Sequence, residues 1–258
     1  MVFATVALGE QTRDSLMHLL NDIRNLNQKI YVYTDIEIDN RFQFDNAIFV
    51  KCERKWTDFR RFELYKYIFE NTEESTIYYM DCDSRLFNHR EEQYDHKKFE
   101  ALIDSLDFDI MSSWGLGQVV NVRWHLRRPE PGENKTVRNY TYGHEEVISY
   151  LKSKLPNYED LLEKEVKLES VLILKKSKRI IEYFNEIITI GNLIQECDEK
   201  INRQHVAHGC GFCMSLFSDL YSINIKRDFI CANFFKPNFL REIFLWGWNM
   251  EKSFKIFN

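Results

Sequence analysis

Two aspartates one residue apart, Asp81 and Asp83, stand in the segment Thr76 to Phe87, TIYYMDCDSRLF. Carboxylates at that spacing offer hard oxygen ligands to a divalent cation, which keeps other positions open for phosphate oxygens. A cation held there neutralises a diphosphate and makes it a better leaving group. The triplet alone is common in polar turns. Its setting singles it out: the aromatic, apolar run Thr76 to Met80 leads straight into it, and Leu86-Phe87 follows.

A second set of ligand types is His205-x-x-His208-x-Cys210-x-x-Cys213, whose soft and borderline donors suit tetrahedral zinc. Ligands packed that tightly rarely close around one ion, and Cys213 to Tyr221 reads as an apolar helix. Buried thiols are therefore the expectation here.

The elements that must position the aspartates come from the hydrophobic pattern. Val2 to Leu8 is an unbroken apolar run closed by Gly9, as in a strand buried on both faces. Thr12 or Asp14 then caps a helix in which Leu16, Leu19, Leu20, Ile23 and Leu26 recur at helical spacing. Lys29 to Thr34 is a second strand ending at Asp35, which completes a βαβ unit and favours a parallel sheet. Ala47 to Cys52 reads as a third strand, Asp58 to Glu70 as a helix, and Thr76 to Met80 as the strand that delivers Asp81 and Asp83 at its carboxyl end.

Further on, Phe99 to Leu106 is predicted helical, and Phe108 to Ser112 and Val171 to Leu174 are predicted strands. Helices are expected near Ser177 to Ile190 and from Cys197 to Tyr221. The Arg-rich stretch Leu116 to Tyr142 has no clear period and is expected to be a mobile active-site loop.

Composition narrows the function. The 258 residues are 44% hydrophobic and 15% aromatic with only nine Gly and four Pro, which suits one α/β domain over 1–258, alone or within a longer protein. A net charge of −5 gives no general attraction to nucleic acid or an anionic membrane. The sequence shows neither a secretory signal nor a transmembrane run, so a cytoplasmic protein with six free thiols is expected.

On these residues the chain resembles a known family. Ile77 to Phe87 is similar to the DxD strand of GT-A glycosyltransferases. Lys55-Trp56-x-Asp58-x-Arg60-Arg61-x-Glu63 and the opening that ends in Tyr-x-Tyr-Thr-Asp35 resemble the retaining α-galactosyl and blood-group transferases. The resemblance covers roughly the first 90 residues. It implies a three-layer α/β/α fold with a central mixed, mostly parallel sheet. It also implies transfer of a sugar from a nucleotide-sugar, UDP-sugar favoured, to a glycan or glycoprotein, with Mn²⁺ or Mg²⁺ as cofactor.

Carried across by position, the resemblance implies that Ala4, Thr5, Val6, Ala7, Leu8 and Asp35 line the nucleoside pocket. Arg60 or Arg61 lies near the diphosphate, and Asp81, Cys82 and Asp83 meet donor and metal. Adjacent helix residues point about 100° apart, so at most one arginine faces the cleft.

The family's catalytic carboxylate segment corresponds here to Asn202 to Gly209, which holds no acid. His205 or His208 becomes a candidate third metal ligand. Glu169, Glu145 and Glu146 are candidate bases for an inverting transfer, with inversion and retention both open. Trp114 is a candidate sugar-stacking residue or a core tryptophan. Two other functions remain alternatives: a non-catalytic nucleotide-sugar or glycan-binding module, and a nucleotidyltransferase.

Overall fold

The computed structural model describes residues 1–40, 42–52, 59–86, 95–112, 121–128, 142–166, 171–203, 211–227 and 235–236. The chain opens with strand β1 (Val2–Ala7), helix α1 (Arg13–Asn25) and strand β2 (Ile30–Thr34), followed by β3 (Ala47–Lys51). Helix α2 (Arg60–Asn71) leads into β4 (Thr76–Met80) and the two-residue β5 (Arg85–Leu86). Helix α3 (His96–Ser105) and β6 (Ile110–Ser112) follow, then α4 (Val122–His125), α5 (Glu145–Lys154) and α6 (Tyr158–Leu161). Strand β7 (Val171–Lys175), the long α7 (Lys178–Lys200), α8 (Gly211–Phe217), β8 (Ile225–Arg227) and β9 (Phe235–Lys236) complete the order.

Seven strands form one sheet in the order β3-β2-β1-β4-β7-β6-β8, and β5 pairs with β9 apart from it. The pairs β1 with β2, β2 with β3, β1 with β4 and β6 with β8 are parallel, whereas β7 runs antiparallel to both β4 and β6. One reversed strand thus stands in an otherwise parallel sheet, the mixed α/β arrangement the sequence leads one to expect.

Strand alternation builds the layers. Ala4, Ile77, Tyr79, Leu172 and Leu174 face a core shared with α2, α5, α7 and α8. Phe3, Tyr78, Met80, Val171 and Ile173 face the opposite core with α1 and α3. Both faces of the central strands are covered, which is why β4 reads as a continuous apolar run and is buried at every position.

Several elements differ from the sequence expectation. Helix α7 runs unbroken through Gly191 to Lys200, so Cys197 belongs to it rather than opening the next helix. The reason is packing: a Cβ on Gly191 would lie 2.4 Å from Phe59 Cγ, so the glycine admits α2's leading aromatic and does not end the helix. Within 116–142 a short helix forms at α4, capped by the Asn121 side chain on Trp124 N and anchored by buried Val122 and His125. Cys213 is buried in α8, as expected of a core thiol, while His205, His208 and Cys210 lie outside the described residues. Among the described residues no helix is long and apolar enough to cross a membrane.

Candidate functional site

The chain leaves β1 for β2 on one side and, after β3, returns to β4 on the other. The carboxyl ends of β1 and β4 therefore flank the point where strand order reverses, and a parallel α/β sheet opens its ligand crevice there. Gly9 follows β1, Asp35 follows β2, and Asp81 follows β4 directly.

Asp81 to Ser84 form a tight turn in which Ser84 N–H donates to the Asp81 carbonyl at 2.9 Å. Arg85, next in line, holds Asp22 of α1 through Nε at 2.9 Å. The turn carrying both acids is thus tied at its start by β4 and at its end by α1.

Asp81 has a built environment. The Tyr79 hydroxyl donates to its Oδ1 at 2.9 Å, and Arg61 Nη2 lies 3.6 Å from the same oxygen. Arg61 also stands over the Tyr79 ring, with Cζ 5.1 Å from the centroid, and is only 6% exposed. Burial pushes the Tyr79 phenol well above its ordinary value; Arg61 works against that, and Asp81 works with it. The Cys82 thiol is pushed up to about 12, first by burial and then by Asp81 and Asp83 on either side, so it stays a neutral thiol at physiological pH.

The two arginines diverge. Arg60, 2% exposed, pairs with Glu63 on its own helix and donates to Asn192 Oδ1 at 3.0 Å and Gln195 Oε1 at 2.6 Å on α7. Glu63 Oε2 accepts from the Tyr33 hydroxyl at 2.7 Å. Arg60 therefore fastens α2 to α7, while Arg61 turns to Asp81 and Tyr79.

On the β1 side, Gly9 N–H donates to Asp35 Oδ1 at 2.7 Å, joining the ends of β1 and β2. Gly9 has φ +83°, and an added Cβ would meet the Gln11 side chain at 2.4 Å. Ala4, Thr5, Ala7 and Leu8 are buried and Val6 is half-buried, leaving Gly9 and Asp35 as the more open residues at this end of the sheet.

A dinucleotide fold seats its pyrophosphate on the helix N-terminus after β1. Here that turn carries Glu10 and Asp14, and Arg13 is already held by Glu10 at 2.6 Å and Asp39 at 3.3 Å. The local charge there is unfavourable to a diphosphate.

The donor set after β4 fits a hard cation. Among the described residues no group of three or more His, Cys, Asp or Glu gathers. Asp81 and Asp83 would offer a hard cation two oxygen donors, with phosphate or water needed for the rest, the usual habit of Mg²⁺.

Glu145 opens α5 beside Arg128 at 3.5 Å, and both side chains are more than four-fifths exposed. Its contacts do not bring it to Asp81. Glu146 reaches Lys200 at 3.3 Å. Glu169, Trp114 and His208 lie outside the described residues. Tyr79 was missed by sequence reasoning, although its place two residues before Asp81 puts both on one strand face. Arg60's partners on α7 lie more than 130 residues away and leave no local signal.

No protein-family model matches the chain, and no curated protein matches it. Among solved structures, core-mannan synthase A of Aspergillus fumigatus in its Mn/GDP form matches with a TM-score of 0.43 and 9% identity, over 84% of this chain and 69% of that one. Galactosyltransferase LgtC, in complex with donor and acceptor sugar analogues, matches with a TM-score of 0.40 and 11% identity, over 88% of this chain and 73% of that one. At these TM-scores the two likenesses carry no argument about this chain's chemistry, which rests on its own residues.

Proposed function

We propose that the chain is a metal-dependent glycosyltransferase of the GT-A type, a single domain over 1–258 that moves a sugar from a nucleotide-sugar to a glycan or glycoprotein acceptor. UDP-sugars are the favoured donors. The observation that carries this reading is the Asp81–Asp83 turn at the carboxyl end of β4, at the sheet's switch point, with Arg61 on Asp81.

In this reading Asp81 and Asp83 hold Mn²⁺ or Mg²⁺, and Arg61 meets the diphosphate. Asp35, whose Oδ1 is taken by Gly9, presents its other oxygen to the ribose hydroxyls. The bound cation supplies charge neutralisation of the leaving nucleoside diphosphate. The donor's anomeric carbon loses its bond to the diphosphate oxygen and gains one to the acceptor oxygen, whose proton passes to a carboxylate base. Glu145 and Glu169 are the candidate bases, Trp114 a candidate acceptor contact, and His208 a candidate further ligand.

The test is a thermal-shift and hydrolysis screen of UDP-, GDP- and dTDP-sugars with and without Mn²⁺, since a ligand of the folded state raises its apparent stability. One nucleotide is expected to give a metal-dependent shift that Asp83→Asn abolishes. Donor binding and transfer that survive Asp83→Asn would sink the proposal. Donor binding with no turnover on a broad acceptor panel would leave a binding module, and release of pyrophosphate from a nucleoside triphosphate would point to a nucleotidyltransferase.

A further inference from the structure

The last turn of α7 carries a buried charged cluster that the proposed site does not use. His144, the N-cap of α5, brings Nε2 to 2.8 Å from Asp198 Oδ1, and Arg203 Nη1 lies 3.4 Å from the same oxygen. All three residues are buried. A buried ion pair is a weak device for stability, and α5 and α7 already share a core through Val147, Leu151 and Ile194. The chemistry of the cluster is more telling. The Arg203 guanidinium is a permanent cation and leaves Asp198 an ionised carboxylate, which can only accept. His144 Nε2 is therefore the donor, and Nδ1 presents a lone pair. That lone pair is not spent on α5, whose first turn has no side-chain cap bond.

The fold carries this pair to the end of the sheet where Asp81 lies. Lys176 N–H donates to the Ser75 carbonyl at 2.8 Å, so α7 starts beside the amino end of β4. With 23 residues α7 is about 34 Å long, whereas the five-residue β4 spans roughly 17 Å. Its last turns thus pass beyond Met80. Asn192 and Gln195 there meet Arg60, next to Arg61 and its contact with Asp81, and Asp198 follows Gln195 within one turn. His144 reaches the same seam from α5: Tyr142, two residues before it, packs edge-on to Phe59 at 6.4 Å.

We propose that His144 is the base of the transfer reaction and that Asp198 is its positioning residue. This rests on the proposed function and assigns its proton acceptor; the neighbouring Glu145 is exposed and held by Arg128. The acceptor hydroxyl gives its proton to Nδ1, and its oxygen forms the bond to the anomeric carbon. The electron pair of the breaking bond leaves on the diphosphate. Asp198, bonded to Nε2, fixes the ring and stabilises the imidazolium that results.

The experiment follows nucleotide release from UDP-glucose, UDP-galactose and GDP-mannose by the full chain with Mn²⁺, with water and methyl glycosides as acceptors. His144→Ala is expected to lower kcat about 100-fold or more, the ordinary contribution of a positioned base, while donor KM and the Mn²⁺-dependent thermal shift stay near those of the wild type. Added imidazole should restore part of the lost rate. Asp198→Asn should lower kcat in the same sense. If His144→Ala does not fold, His144→Asn makes the comparison, since asparagine is a preferred N-cap.

Turnover by the His144 variant within a few-fold of the wild type overturns the inference. So does a loss that only follows weakened donor binding and that imidazole leaves untouched, because that is the mark of a structural role. A wild type that binds a donor with Mn²⁺ and never turns it over has no base to assign, and the inference falls with catalysis. A wild type that binds none of the donors removes the proposed function itself.

Discussion

Tyr79 donates its phenolic hydroxyl to Asp81 Oδ1 at 2.9 Å from two positions upstream on the same face of β4. A fully buried ring thereby steers a carboxylate that is 28% exposed. Tyr79→Phe keeps the ring under Arg61 and removes only the hydroxyl. A single hydrogen bond of this kind contributes roughly 1 kcal/mol net, so a small loss of stability is expected in urea unfolding. The larger effect should fall on the Mn²⁺-dependent part of the donor-induced thermal shift. An unchanged shift would mean that Asp81 needs no steering.

The Gly9 to Asp35 hydrogen bond leads to a second expectation. Asp35 is exposed, so Asp35→Ala should change the melting temperature of the free protein little. The same variant should weaken nucleotide binding, because both the ribose partner and the tether on the Gly9 turn are gone. Asp35→Asn keeps an acceptor for Gly9 N–H and should fall between the two. Isothermal titration with UDP orders the three proteins, and equal affinities would remove Asp35 from the site.

Legibility in the sequence follows burial. β1 and β4 are covered on both faces, and their unbroken apolar runs made the βαβ opening and the placement of Asp81 readable. β8 was not readable: its three residues are Ile225, Lys226 and Arg227, none of them buried, so no apolar pattern marks them. The helix expected near Ser177 to Ile190 runs on through Gly191 to Lys200, where Phe59 packs against the glycine, a tertiary contact with no local signature. Arg60 and Arg61 were separable by helix geometry, but which of them lies by Asp81 depends on α7, a tertiary neighbour with no local signature.

The Cys82 thiol gives a pH prediction. Its folded-state value is raised from 9.0 to about 12 by burial and by its two flanking aspartates. A raised value contributes stability that is fully present below the unfolded value, near 9, and is lost as pH climbs toward 12. Melting temperature should therefore fall with pH in that window. Cys82→Ala removes this contribution and should flatten part of the decline; the Tyr221 phenol, also raised to about 12 by burial and Glu186, accounts for more. Superimposable melting curves against pH for wild type and Cys82→Ala would show that the thiol titrates as if exposed.

The α2 to α7 seam offers the sharpest stability test, because two known effects oppose each other. Replacing a helix-interior glycine by alanine ordinarily favours folding by about 1 kcal/mol. At Gly191 the new methyl would sit 2.4 Å from Phe59 Cγ and 2.5 Å from its Cβ, in a core where overpacking costs roughly 1–3 kcal/mol. The ring cannot retreat easily, since Phe59 is buried and packs edge-on to Tyr142 at 6.4 Å. Gly191→Ala is therefore expected to destabilise despite the better helix former, and Phe59→Leu in the same chain should recover part of the loss. Because Phe59 directly precedes Arg60 and Arg61, the shift should also weaken donor binding more than its stability cost alone explains. Urea unfolding of the single and double variants decides it: a Gly191→Ala protein as stable as the wild type would mean that the seam can open without cost.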